Sequence, residues 1–251
     1  MKTRGLRRRF GDLVAVDGID LAVPRGTFYG FLGPNGAGKS TTIKCLTGLL
    51  PPSSGTMSLL GMDPGREPVA VKRVVGVMPE DLALFDRLSG LETLSFVGQV
   101  HGLDRRTVTA RAEELLDLMD LRDAARSLVI DYSHGMRKKL ALASALLPAP
   151  RLLFLDEPFE GIDAVAGRQI KDLLTSYVTQ GGTVFLTSHI LEIVERLSRH
   201  IGVIYQGKLV AQGTVEHLRS SSGESKTLEE VFMGLVGAGD ADSPTLGWLA
   251  G

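Results

Sequence analysis

A glycine-rich stretch that ends in a lysine and two hydroxyl-bearing residues carries the clearest chemical signal in the sequence. It reads Gly33-Pro34-Asn35-Gly36-Ala37-Gly38-Lys39-Ser40-Thr41. The spacing fits the pattern G-x-x-x-x-G-K-[ST], in which backbone N–H groups of the loop and of the following helix surround a phosphate. Lys39 adds a full charge to the β- and γ-phosphates, and the Ser40 hydroxyl is a ligand for Mg²⁺. The stretch therefore predicts a nucleoside triphosphate site; the alternative is a glycine-rich turn with a chance lysine.

The residues on both sides of this loop predict the strand and the helix that it requires. The apolar run at 27–32 lies between glycines and is typical of a buried strand. After the loop, Ile43, Leu46 and Leu50 recur at helical spacing, and prolines at 51–52 end the helix. Cys45, the only cysteine in the sequence, lies on the apolar side of this helix, so we expect a buried thiol.

Two adjacent carboxylates, Asp156 and Glu157, directly follow an apolar run at 152–155. Such a run predicts a fully buried parallel strand, and its C-terminal end is where open α/β sheets bind their ligands. We predict that Asp156 holds Mg²⁺ opposite Ser40 and that Glu157 polarises an attacking water as general base. The alternative is that the two acids cap the next helix.

Two other segments place a serine beside a histidine. The first reads Tyr132-Ser133-His134-Gly135-Met136-Arg137-Lys138-Lys139-Leu140 and, taken alone, predicts a serine N-cap on a basic helix. The second, Ser188-His189, ends an apolar strand pattern, where the His189 ring can contact a γ-phosphate. A histidine at a strand end is more often structural, and this alternative stays open.

Composition excludes several functional classes. The 251 residues include 43% hydrophobic and 23% charged side chains, which is ordinary for one large or two small globular domains. A net charge of −1 gives no basic field, so we expect no nucleic acid partner. The apolar runs are shorter than the roughly 20 residues that span a bilayer, and no apolar segment follows the basic first residues as in a secretory signal. We therefore expect a cytoplasmic protein that reaches a membrane only through a partner.

The pattern of apolar residues alternates between strands and helices along the chain. Strands are predicted at 6–10, 13–23, 56–60, 74–78, 151–155 and 183–187, with a hairpin at 201–205 and 208–211 and short helical segments at 69–73 and 228–235. Between 88 and 147 the periodicity is helical, and Ser89 and Glu92 have the spacing of a capping box. This block predicts an inserted helical subdomain; the alternative is a set of helices that simply cover the sheet.

The order of the motifs resembles that of the nucleotide-binding subunit of ATP-binding cassette (ABC) transporters. The motifs are, in order, the phosphate loop, Met78-Pro79-Glu80, Ser133-His134-Gly135-Met136, Leu155-Asp156-Glu157-Pro158, Glu160-Gly161-Ile162-Asp163 and Ser188-His189. The resemblance extends from Leu6 to about Leu218 and includes residues 227–235. The Ser-His-Gly-Met-Arg variant is typical of bacterial export ATPases whose membrane protein is a separate polypeptide.

This resemblance implies an α/β fold: a P-loop NTPase core with a mixed sheet, an N-terminal antiparallel β-subdomain and an inserted α-helical subdomain. It implies a single domain over 1–220, with the helical subdomain at about 82–148, and a C-terminal extension over 221–251 that is mobile from Gly237. The implied activity is hydrolysis of ATP with Mg²⁺. The implied partners are a transmembrane permease and a second ATPase subunit, identical or related, in a head-to-tail dimer on the cytoplasmic face of the membrane.

The resemblance also implies a role for individual residues. Phe10 matches the aromatic side chain that stacks on adenine. The phosphate loop from Gly33 to Thr41 matches the phosphate site, with Ser40, Glu80 and Asp156 around Mg²⁺. Ser133 and Gly135 match the signature, and Asp163 matches the D-loop. Glu157 matches the catalytic base, and His189 matches the switch histidine.

Three positions depart from the family pattern: His134 and Met136 replace a glycine and a glutamine of the signature, and Glu80 replaces the usual glutamine. A carboxylate at position 80 keeps an oxygen for Mg²⁺ or water but adds negative charge beside Asp156 and Glu157. The alternative for Glu80 is a solvated surface residue.

Two rival functions are less consistent with the sequence. A non-transport ABC ATPase of chromosomes, repair or translation would have a long coiled-coil insertion or a second phosphate loop, and the sequence has neither. A small-molecule P-loop kinase would have no need of the signature or of a carboxylate at the Glu157 position.

Overall fold

The computed structural model describes residues 1–221 and 227–237. Helices and strands in these residues are, in chain order, β1 Lys2–Phe10, β2 Leu13–Ile19, β3 Phe28–Leu32, α1 Lys39–Leu46, β4 Ser54–Ser58, α2 Pro68–Val74, β5 Val75–Met78, α3 Gly90–Val100, α4 Arg105–Leu118, α5 His134–Leu146, β6 Leu152–Asp156, α6 Ala164–Thr179, β7 Thr183–Ser188, α7 Leu191–Leu197, β8 His200–Tyr205, β9 Lys208–Thr214, α8 Val215–Ser221 and α9 Leu228–Leu235. A single 3₁₀ turn, Val129–Asp131, precedes α5. The tail beyond 237, which was predicted to be mobile, lies outside the described residues.

The strands of this part of the chain form two sheets. The larger, six-stranded sheet has the order β5-β6-β7-β3-β8-β9 and is parallel except for the β8–β9 hairpin. The smaller, three-stranded sheet has the order β2-β1-β4 and is antiparallel. These sheets confirm the predicted mixed core and N-terminal antiparallel subdomain.

The register of the large sheet brings the predicted site segments to one edge. Asp156 at the end of β6 pairs with Thr187, and Leu32 at the end of β3 pairs with Ser188. Strands β3, β6 and β7 are buried along their whole length, because helices and the small sheet cover both faces. The loops that follow these three strands therefore lie side by side.

An aromatic cluster stabilises the sheet beneath the phosphate loop. The rings of Tyr29, Phe31 and Phe154 pack around Phe185, with centroid distances of 5.2 to 5.5 Å. These rings belong to a buried cluster that also contains residues of α1 and of the small sheet. Cys45 of α1 lies in this cluster, which confirms the predicted buried thiol.

The helical block between β5 and β6 consists of α3, α4 and α5. Helix α5 packs on β5, whereas α3 and α4 pack on each other and on α5. The predicted capping box is confirmed, since Glu92 N–H donates to Ser89 Oγ and Ser89 N–H donates to the Glu92 carboxylate. The backbone N–H and the hydroxyl of Ser89 both donate to this carboxylate and hold the pKa of Glu92 below its usual value. The limits 82–148 for an inserted subdomain stay a prediction.

The predicted strand at 13–23 is wrong at its C-terminal end. Strand β2 ends at Ile19, because the Asp20 carboxylate turns back to accept a hydrogen bond from Gly5 N–H. Leu21 and Val23 are nevertheless buried, and the chain there pairs with the first residues of β1. Alternating apolar residues thus continue past the strand itself.

None of the helices in the described residues is long and apolar enough to span a membrane.

Candidate functional site

Positive φ angles at two glycines shape the phosphate loop. Gly36 has φ +78° and Gly38 has φ +107°, a backbone region that is costly for any residue with a Cβ. A Cβ on Gly38 would also lie 2.4 Å from the Ala15 carbonyl oxygen. Because Gly38 is the N-cap of α1, the first N–H groups of this helix point into the loop without a side chain above them. The backbone therefore forms an anion-binding cradle.

Lys39 lies buried at the centre of the loop. Its Nζ donates to the carbonyl oxygens of Gly33 at 2.8 Å and Pro34 at 3.4 Å, and lies 3.2 Å from Glu157 Oε1. An ammonium held inside the loop can bind phosphate oxygens at the N-terminus of α1, where the helix dipole is positive.

Glu157 adopts a left-handed backbone conformation, with φ +49°. Its buried carboxylate lies between Lys39 and His189, and Oε2 is 3.0 Å from His189 Nδ1. The His189 N–H also donates to Oε2. A non-glycine residue in this conformation marks local strain, which is frequent where a side chain must be aimed at a reacting atom.

Thr187 connects the two carboxylates that follow β6. Its hydroxyl donates to Asp156 Oδ1 at 2.6 Å and accepts from the Glu157 N–H at 3.0 Å. Sequence reasoning missed this residue. The signal was its place beside Ser188-His189 at the end of a strand, but the pairing with β6 was not visible in the sequence.

An open pocket of about 360 Å³ lies above the phosphate loop. It is lined by Phe10, Leu13, Ala15, Pro34, Asn35, Gly36, Gly38, Lys39, Ser40, Thr41, Glu80 and Glu157. The pocket thus places an aromatic ring, a phosphate cradle, a hydroxyl and two carboxylates around one space. The Arg8 guanidinium lies over the Phe10 ring, 4.5 Å from its centroid, a contact that sequence reasoning also missed.

Oxygen atoms of the type that Mg²⁺ prefers lie in the lining of this pocket and next to it in the chain. The Ser40 hydroxyl and the Glu80 carboxylate line the pocket, and the buried carboxylate of Asp156, whose Oδ1 accepts from Thr187, directly precedes Glu157. In the described part of the chain, no group of three or more His, Cys, Asp and Glu residues could hold a metal. Beside a nucleotide, Mg²⁺ takes only a few ligands from the protein, because phosphate oxygens and water molecules complete its octahedral coordination.

The predicted residues Ser133, Gly135 and Asp163 lie on a separate surface, here called the signature face, together with His134 and Gly161. Ser133 caps α5 and Asp163 caps α6, each through its own side chain. The two segments are adjacent, since a Cβ on Gly135 would lie 3.8 Å from Asp163 Oδ2 and one on Gly161 would lie 3.2 Å from His134 Nε2. Hydrogen bonds from the backbone N–H groups of Ala166 and Val165 in α6 hold the pKa of Asp163 below its usual value.

Lys138 is a further residue that sequence reasoning missed. The segment at 132–140 predicted a serine N-cap on a basic helix and no role for this lysine, but the Lys138 side chain is buried and donates to backbone oxygens of Glu157 and Glu160. No pattern in the sequence indicated that this charge points inward.

Comparison with known proteins supplies independent findings. The family model described as "ABC transporter" matches residues 16–160. The chain is 42% identical over 219 residues to the daunorubicin resistance ATP-binding protein DrrA3 of Streptomyces coeruleorubidus, which covers 87% of this chain and 69% of that protein. It is 41% identical over 222 residues to the Nod factor export ATP-binding protein I of Cupriavidus metallidurans, which covers 88% and 73%. A solved structure titled as the ATP-binding subunit of an ABC transporter superposes with a TM-score of 0.88 at 28% identity, covering 93% of this chain and 98% of that one.

Proposed function

The chain belongs to the ABC transporter family, and from this premise we propose that it is the ATPase of an export system whose transmembrane permease is a separate polypeptide. The observation that carries the proposal is the single pocket that joins Phe10, the phosphate loop, Glu80 and Glu157. The export direction is supported by relatives that are named for drug resistance and for Nod factor export.

Binding of ATP would use the pocket from end to end. Adenine would stack on Phe10, whose ring is part-exposed to the pocket, while the β- and γ-phosphates would occupy the loop. Lys39 would exchange its carbonyl contacts for phosphate oxygens. Ser40, Glu80 and Asp156 would hold Mg²⁺, which would neutralise charge on the phosphates.

Hydrolysis would be an in-line attack by water on the γ-phosphate. Glu157 would orient this water and take its proton, since its carboxylate lies beside Lys39 in the pocket. Lys39 and His189 would stabilise the charge on the transferring group. The contact between His189 Nδ1 and Glu157 Oε2 favours a shared role for the two side chains.

A complete site would need two chains. Ser133, Gly135 and Asp163 belong to the signature face and do not line the pocket of their own chain. In a head-to-tail dimer, identical or formed with a related ATPase, the signature face of one subunit would cover the γ-phosphate in the other. Binding of ATP would close this dimer and hydrolysis would release it, which gives a two-state element for transport.

A groove between β5 and α3 is the proposed docking site for the permease. Phe85 is 54% and Phe96 43% exposed, and their rings meet edge to face at 5.3 Å. Both line a cavity of about 340 Å³ that also includes Pro79, the residue directly before Glu80. Exposed aromatic rings beside such a cavity are typical of an interaction site, and the chain leads directly from Pro79 in this cavity to Glu80 in the nucleotide pocket. A permease segment seated there would keep the ATPase at the cytoplasmic face of the membrane.

One experiment tests the function against its closest rival. The purified chain is incubated with ATP and Mg²⁺ without any phosphoryl acceptor, and released phosphate is measured. We expect steady phosphate release that the permease stimulates when both are reconstituted in vesicles. ADP formation only after a small-molecule acceptor is added would instead indicate a kinase.

A further inference from the structure

Lys138 occupies an unusual position for a lysine. It lies on α5, five residues after Ser133, and only 3% of the residue is exposed. Its Nζ donates to the carbonyl oxygen of Glu157 at 2.8 Å and to that of Glu160 at 2.5 Å. A buried ammonium is retained only where hydrogen bonds and charges compensate for its lost hydration. Because Lys138 is buried, its charge does not serve the solubility of the protein, and its contacts indicate a specific role.

The two carbonyl oxygens belong to the catalytic turn, which comprises residues 157–160. The Glu160 N–H also donates to the Glu157 carbonyl oxygen. The first and the last residue of the turn are therefore hydrogen-bonded to each other, and both accept from the Lys138 ammonium. At its start, Glu157 has φ +49°, a conformation that an L-residue holds only when its neighbours fix it. The Glu157 N–H is fixed by Thr187, and its carbonyl is fixed by Lys138.

The direction of the Glu157 side chain follows from this backbone conformation. Both carboxylate oxygens have specific neighbours, Lys39 for Oε1 and His189 for Oε2. A rotation of the backbone at Glu157 would move the carboxylate away from these neighbours and from the phosphate loop. Lys138 controls one of the two polar groups that oppose such a rotation.

The charge of Lys138 acts on the same group of residues. Burial lowers its pKa, and the carboxylates of Glu160, Glu157 and Glu80 act in the opposite direction. The Lys138 ammonium therefore interacts with the carboxylates of the catalytic turn as well as with its carbonyl oxygens.

We propose that Lys138 is a positioning residue for Glu157, which holds the strained catalytic turn in the conformation that aims the carboxylate at the attacking water. The proposal rests on the function proposed above, in which Glu157 is the general base. It concerns the orientation of Glu157 and not the binding of ATP. Loss of Lys138 therefore lowers kcat and leaves KM for ATP almost unchanged.

The first test compares purified Lys138→Met and Lys138→Arg with the wild-type chain in steady-state ATP hydrolysis. We expect Lys138→Met to lower kcat at least tenfold with KM within threefold, and Lys138→Arg to recover part of this loss, because its guanidinium donates to carbonyl oxygens. Lys171→Met, which removes a lysine charge from part-exposed α6, is the control and should keep the wild-type kcat. A wild-type kcat in Lys138→Met overturns the proposal, as does a loss that appears mainly in KM.

The second test separates positioning from a general role in folding. Single-turnover hydrolysis of radiolabelled ATP is measured for Lys138→Met, Glu157→Gln and the double variant. If Lys138 acts through Glu157, the double variant is no slower than Glu157→Gln alone. Losses that multiply would overturn the proposal. A wild-type rate in Glu157→Gln alone would instead refute the base assigned under the proposed function, so the two failures are distinguishable.

If Lys138→Met does not fold, Lys138→Gln provides the same comparison, since it keeps N–H donors and removes the charge. Its kcat should lie below that of the wild type with KM within threefold, because a neutral amide donates more weakly to the two carbonyl oxygens than an ammonium does. A Lys138→Gln variant with unaltered kcat and no hydrogen bond from residue 138 to the turn would refute the positioning role.

Discussion

The catalytic pocket and the signature face use similar polar residues in opposite ways. In the pocket, Lys39, Asp156 and Glu157 are buried, and each contacts a side chain or carbonyl from another element. On the signature face, Ser133 and Asp163 are exposed, and each hydrogen-bonds the first turn of its own helix. The first region is preorganised within one chain, whereas the second consists of exposed helix ends, which in the proposed dimer would face the neighbouring subunit. Lys138 joins the two, because it belongs to the signature helix and holds the catalytic turn.

The largest effect is expected where the buried network depends on one cation. Lys39→Ala should lower ATP turnover more than a hundredfold, because the phosphates lose the fixed positive charge at the centre of the loop. The matched control is Lys44→Ala, an exposed lysine of the same helix, which should keep the wild-type rate. Phosphate release by purified protein is the measurement, and wild-type turnover in Lys39→Ala would show that the loop is not the active site.

The second prediction separates chemistry from binding in the same pocket. Glu157→Gln should keep ATP binding but slow hydrolysis about a hundredfold, because an amide cannot accept the proton of the attacking water. A stalled reaction should leave ATP between two subunits, so size-exclusion chromatography with ATP should show a dimer. Normal hydrolysis by this variant would contradict the role of general base.

The third prediction tests the opposite region. Ser133→Ala should damage the site of the neighbouring subunit and leave the pocket of its own chain intact. A mixture of Ser133→Ala and Lys39→Ala chains contains dimers with one intact composite site, so part of the activity should return. Fluorescence energy transfer between labelled chains verifies that mixed dimers form. If they form and remain inactive, either the site is not shared or both sites must be intact.

The smallest effect is expected at Glu80, where the pocket meets the docking groove. Glu80→Gln should keep hydrolysis within about tenfold, which is about 1.4 kcal/mol of barrier, because the amide retains an oxygen. Glu80→Ala should lose more and should respond less to the permease, whereas Asp81→Ala, the exposed neighbour, should do neither. The measurement is the ATPase rate of each variant with and without the permease. Glu80 is only a surface residue if its alanine variant behaves as the wild type in both conditions.

Much of the pocket could be predicted from local sequence. The phosphate loop is contiguous, and its glycines, lysine and serine occupy positions that the backbone of a strand–loop–helix unit itself brings together. The acidic pair after a fully apolar run identified the end of β6, and the order of the motifs along the chain indicated an α/β core through the family resemblance. The error at residues 20–23 arose because the strand is interrupted at Asp20, whose carboxylate accepts from the Gly5 N–H, whereas Leu21 and Val23 beyond it are buried and pair again with the start of the chain.

The sequence by itself determined the residue types of the site, the loop that binds phosphate and the family to which the chain belongs. Only the tertiary structure decided which of these residues meet. Thr187 reaches Asp156 because β7 lies beside β6, and Lys138 reaches the catalytic turn because α5 is rotated with this side chain toward the sheet. Sheet order and helix rotation are set by packing between segments distant in sequence, so no local spacing encodes them. The separation of the signature face from the pocket arises in the same way, from the packing of α5 and α6 against the strands.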